Sequence, residues 1–191
     1  MKKLSLILGA IVISFLMASC SNKKEAAITA FNAFFDNEVT ALNAVDNADA
    51  MLDYLKASDT RFQEFFAKMN NDFPLDENEN IIGLKKEDSE AAMKVYDDRL
   101  NAWAQLRDTK GGEFYEVYIA KLENLVNGLA EDIVNEVEPA ADIEDQIMAA
   151  YDDTDKYVDL STDEQYDRYT DIDELVKVIY GIEEDGEGAE E

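Results

Sequence analysis

Histidine is absent from this chain, cysteine occurs once, at Cys20, and proline only twice, at Pro74 and Pro139. Without histidine, the commonest general base and the commonest metal ligand are both missing. A single cysteine rules out an internal disulfide and a cysteine cluster for zinc. Beyond Ser21 the serines are Ser58, Ser89 and Ser161, each read as a helix cap. Neither a glycine-rich phosphate loop nor an HExxH pair is present. Carboxylates alone can catalyse glycoside hydrolysis, but in a chain with 44 acidic residues some pair at any given spacing is expected by chance. The chain is therefore read as non-enzymatic. Positive charge is also scarce, with 17 Lys and Arg and a formal net charge of −27. That excludes the basic surface needed to hold nucleic acid or to lie on anionic lipid.

The start of the chain has a definite order. Lys2 and Lys3 precede an apolar run from Leu4 to Met17, and the small residues Ala18 and Ser19 lead to Cys20. The run is 14 residues long, short of the roughly 20 that a membrane-spanning helix needs, and its flanks are those of a secretory leader. Met17-Ala18-Ser19-Cys20 resembles the lipobox of bacterial lipoprotein signal peptides. The resemblance covers residues 1–20 and implies export, removal of residues 1–19, and acyl chains on Cys20. It also implies a sorting signal. Ser21 is permissive for the outer membrane, where aspartate would favour inner-membrane retention. The following Asn22-Lys23-Lys24-Glu25 is basic before it is acidic, unlike the acidic cluster that directs some lipoproteins to the cell surface. A lipid anchor on the periplasmic face of the outer membrane is the expectation.

Removing residues 1–19 takes away Lys2 and Lys3 and no acid, leaving 15 basic against 44 acidic side chains, net −29. The remainder is long enough for one domain with a real core. Residues 20–181 are read as a single helical domain and 182–191 as an acidic disordered tail. Apolar side chains recur at helical spacing. One stripe runs through Ile28, Phe31, Phe34, Phe35, Val39 and Leu42, and another through Met51, Leu52, Leu55, Phe62, Phe65, Phe66 and Met69. Asp46-Asn47 and Ser58-Asp59-Thr60 are both plausible caps, and the break is placed at the first. After a connection over 70–87, a helix opening at Asp88 or Ser89 is predicted to stop at Lys110-Gly111-Gly112. A further helix of roughly 25 residues is predicted from Tyr115 through Val137, ending at Pro139. Two more follow, one through Ile143, Ile147 and Tyr151, the other opened by a capping box at Ser161-Thr162-Asp163-Glu164 and closed by Gly181. The fold class is all-α, an antiparallel bundle of five to six helices with short loops.

Three groups of residues carry the candidate chemistry. Asp76 to Glu87 can be counted as a twelve-residue calcium loop, with oxygen ligands from Asp76, Asn78, Asn80 and Glu87. Ile81 stands where such a loop needs glycine, and Gly83 where it needs an aliphatic residue. A polar interhelical loop turning at Gly83 is the reading, with weak calcium binding as the functional alternative; no other cofactor is expected. Asp163, Asp167 and Asp171 recur every four residues, a spacing at which like charges repel by about 0.2–0.5 kcal/mol per pair. A basic protein partner would exploit that face, whereas Arg168 pairing with Glu164, and Lys177 with Asp173 or Glu174, would offset the repulsion without one. The phenylalanines of the first two stripes, with Tyr115, Tyr118, Tyr166, Tyr169 and Trp103, are read as core rather than as pocket lining. The functional expectation is a cell-envelope lipoprotein that binds another protein. Capture or delivery of a small ligand or cation is the alternative.

Overall fold

The computed structural model describes residues 20–181, so the leader and the acidic tail lie outside the described residues. Among the described residues five α-helices pack together with no strands: α1 Cys20–Asn43, α2 Ala48–Asp72, α3 Lys86–Val134, α4 Ile143–Lys156 and α5 Asp163–Tyr180. A 3₁₀ turn at Val158–Leu160 joins the last two. The break between α1 and α2 falls at the predicted Asp46-Asn47 site. There the Asn47 side chain accepts a hydrogen bond from the Ala50 backbone N–H, 2.9 Å away, and caps α2. Ser58-Asp59-Thr60, the other plausible cap, runs on inside α2.

The main departure from expectation is α3. It does not stop at Lys110-Gly111-Gly112 but continues as one helix of 49 residues, about 73 Å long at 1.5 Å per residue. The two glycines serve close packing instead. A Cβ on Gly111 would stand 2.9 Å from the backbone oxygen of Leu160, and one on Gly112 would stand 2.9 Å from Cγ2 of Thr162. The chain between α4 and α5 thus presses directly on the α3 backbone. The helix also opens earlier than predicted, at Lys86, because the Ser89 hydroxyl accepts the Ile81 backbone N–H at 2.7 Å rather than capping its own helix. It ends earlier too, at Val134. Beyond it the Val137 N–H donates to Asp132 O and the Glu136 N–H to Ile133 O, with Glu136 at φ +55°. This is a Schellman turn with glutamate in the place that glycine usually takes.

Because α3 is so long, it is the spine of two three-helix lobes. Along its first half α1 runs parallel to it, with Lys24 paired to Asp88, Arg99 to Asp36, and Lys110 Nζ donating to Leu42 O. Helix α2 returns antiparallel, with Tyr54 against Trp103 and Phe66 near Tyr96. Along the second half the packing is carried by Tyr115, Ile119, Leu122, Val126 and Leu129, all buried. Their alternating spacing of four and three residues is the seam of a coiled coil. Helix α4 runs back along that seam, and α5 runs forward again. Buried Gln165 fastens the start of α5, donating to Gly112 O at 2.9 Å and to Glu116 Oε2 at 2.8 Å. The capping box of α5 sits one residue later than predicted, between Thr162 and Gln165, because Gln165 closes the box as it reaches α3.

Candidate functional site

Cys20 is the first residue of α1, and its side chain lies outside what is described. Cys20 lies in helical backbone, so any group attached to it is joined to α1 with no linker between. Lys23 Nζ, one turn on, donates to Ile82 O at 2.6 Å, which places this end of α1 beside the loop between α2 and α3.

That loop is folded on itself. Leu75 and Ile81 form an antiparallel bridge, and Ile81 is buried with Phe31, Met69, Phe73 and Ala92. Asp76 Oδ1 accepts the backbone N–H groups of Asn78 and Asn80, both at 2.9 Å. These bonds favour the charged carboxylate and hold its pKa below the ordinary value. The structure therefore brings Asp76, Asn78 and Asn80 together as an Asx turn, while Glu87 belongs to the first turn of α3. Among the described residues no three Asp, Glu, His or Cys side chains gather as a metal site.

On α5, Asp163, Asp167 and Asp171 are all exposed. Both cations of this helix, Arg168 and Lys177, have carboxylate partners outside the ladder. Arg168 does not pair with Glu164; it crosses to α3, reaching Glu116 at 3.0 Å and Glu123 at 2.5 Å. The two carboxylates raise the pKa of the Arg168 guanidinium, Glu123 more than Glu116. Lys177 pairs with Asp173, as expected, at 3.1 Å. Asp173 also accepts the Tyr151 hydroxyl at 2.6 Å, and that bond, with Lys177 behind it, keeps its carboxyl below the usual range.

Sequence reasoning missed the most elaborate polar cluster. Glu38 sits in the apolar face of α1 and is 2% exposed. Arg61 grips it with two N–H bonds of 2.5 and 2.9 Å, and it accepts the hydroxyls of Tyr54 at 3.0 Å and Ser58 at 3.2 Å. Trp103 Nε1 donates in turn to Tyr54 Oη at 2.7 Å. Burial pushes the Tyr54 phenol up to about 12, and the Glu38 charge adds to the shift. A signal was available in the sequence. Phe31, Phe35, Glu38 and Leu42 follow one helical face, as do Tyr54, Ser58 and Arg61 on α2, so an acid in one stripe faces donors in the other. The aromatic rings around this cluster pack on one another, with Phe34 stacked on Phe65 at 4.0 Å between centroids. A cleft of about 210 Å³ opens at the Gly111 notch, lined by Met51, Leu55, Arg107, Asp159, Leu160 and Ser161 among others. Apolar Met51, Leu55 and Leu160 share this lining with the charged Arg107, Asp108 and Asp159.

No family model, curated protein or solved structure matches this chain. Among the described residues no helix is long and apolar enough to cross a membrane.

Proposed function

We propose that this chain is a non-enzymatic lipoprotein of a bacterial cell envelope, anchored through Cys20, whose acidic helical bundle binds a basic protein partner. The observation that carries the binding reading is the acid face of α5. Asp163, Asp167 and Asp171 stand in solvent at four-residue spacing, while Arg168 is drawn across to Glu116 and Glu123. Like charges left side by side cost stability, and a cationic partner offsets that cost. The anchor reading is supported by the leader and lipobox sequence. The place of Cys20 within α1 supports a short tether, holding the bundle close to the membrane.

Two measurements test the two halves of the reading. Cys20→Ser is expected to abolish incorporation of labelled palmitate and to move the protein from the membrane to the soluble fraction. A variant that remains labelled and membrane-held would refute the anchor. Changing Asp163, Asp167 and Asp171 together to Asn is expected to weaken co-purification of the partner from native envelopes and to flatten its dependence on salt. Association that is indifferent to salt and to these changes would refute the binding face.

A further inference from the structure

The far end of α3 combines two features that its fold does not require. Ile133 and Val137 are about half exposed, at 50% and 53%, and Val134 is 81% exposed. Met148, in the second turn of α4, is 62% exposed. These side chains add little to the buried core, and a helix that only had to end could end in polar residues. The same end is strongly anionic. Between Lys121 and Lys156 the chain has no lysine or arginine, and the turn from Glu131 to Asp145 carries seven carboxylates. Tyr180, at the end of α5, belongs to this end as well: burial and the Glu144 carboxylate both raise its phenol. Lys177, the nearby cation on α5, is paired with Asp173.

We propose that this tip, where α3 stops and α4 begins, is a docking surface for a cationic amphipathic helix of a partner protein. The exposed apolar side chains call for an apolar face on the occupant, and the carboxylates interspersed with them along the chain call for lysine or arginine at that face's edges. A second copy of this chain would set the same carboxylates against each other, and an anionic lipid surface would meet the same repulsion. The tip also lies about 70 Å along α3 from the end where Cys20 stands, at 1.5 Å per residue. On a molecule anchored at Cys20 it is remote from the anchor. The inference rests on the protein-binding reading above and adds to it the surface and the chemistry of the partner.

The test uses two synthetic 18-residue peptides of identical Leu and Lys composition, one arranged with an apolar face and one reshuffled to have none. Binding to the purified protein is read by fluorescence anisotropy. The amphipathic peptide is expected to bind at least ten-fold more tightly than its isomer. In the double variant Val134→Asp, Val137→Asp that preference is expected to vanish, although the added charge by itself would strengthen attraction to lysine. Both sites are exposed, and circular dichroism verifies that the variant is folded. Equal binding of the two peptides, or a preference that survives the double variant, overturns the inference. A preference lost instead on changing Asp163, Asp167 and Asp171 to Asn also overturns it, while leaving the α5 reading standing.

Discussion

Glu38 shows how much one residue can organise. A carboxylate at 2% exposure is tolerable only because Arg61, Tyr54 and Ser58 satisfy it with four hydrogen bonds. Truncating it leaves a guanidinium and two hydroxyls facing an apolar gap. Glu38→Ala is therefore expected to destabilise the fold by about 3–5 kcal/mol, read as a lower midpoint in urea with little change in slope. A loss under 1 kcal/mol would mean that Arg61, which is one-third exposed, recovers its hydration at almost no cost. The residue was legible in part: its place in the Phe31–Leu42 stripe is visible, but its partners lie 16 to 23 residues away on another helix. Ser58 teaches the same lesson. Next to Asp59 and Thr60 it has the look of a cap, yet it is buried inside α2 because its hydroxyl completes the Glu38 site.

At the scale of the element, the glycines separate two roles that look identical in sequence. Gly111, Gly112 and Gly128 all lie inside α3. A methyl group at Gly111 would meet the Leu160 carbonyl at 2.9 Å, a backbone atom that cannot swing aside, whereas one at Gly128 meets nothing within 4 Å. Gly128→Ala is expected to stabilise the protein by about 0.5–1 kcal/mol through helix propensity alone. Gly111→Ala is expected to destabilise it, with overpacking of about 1–3 kcal/mol outweighing the same gain. Thermal unfolding of the two variants should move in opposite directions. A gain in both would show that the turn at Val158–Leu160 yields, and that the glycine notch is not what seats α5. Helix periodicity was readable along almost the whole chain because each stripe is local. The glycine pair was misread as a terminator because its purpose is contact with residues about fifty positions later.

For the whole molecule, charge sets the conditions of stability. A net charge of −29 after residue 19 makes the compact state repel itself, while ion pairs such as Arg168 with Glu116 recover only part of that. Raising NaCl from about 0.01 to 0.5 M shortens the screening length from about 30 Å to a few Å. The melting temperature is expected to rise, by about 2–4 °C for each kcal/mol of repulsion removed. A fall would mean that the ion pairs outweigh the repulsion. What the amino-acid sequence determined by itself is whatever depends on neighbours within a few turns: the all-α class, the α1–α2 break, the acid ladder, and the lipobox resemblance at Cys20. The joining of two predicted helices into one spine, the burial of Glu38, the diversion of Arg168 and the exposure of apolar side chains at the far end of α3 were decided only by tertiary structure. Each depends on which distant backbone or charge arrives beside a residue, and periodicity along one helix carries no record of that.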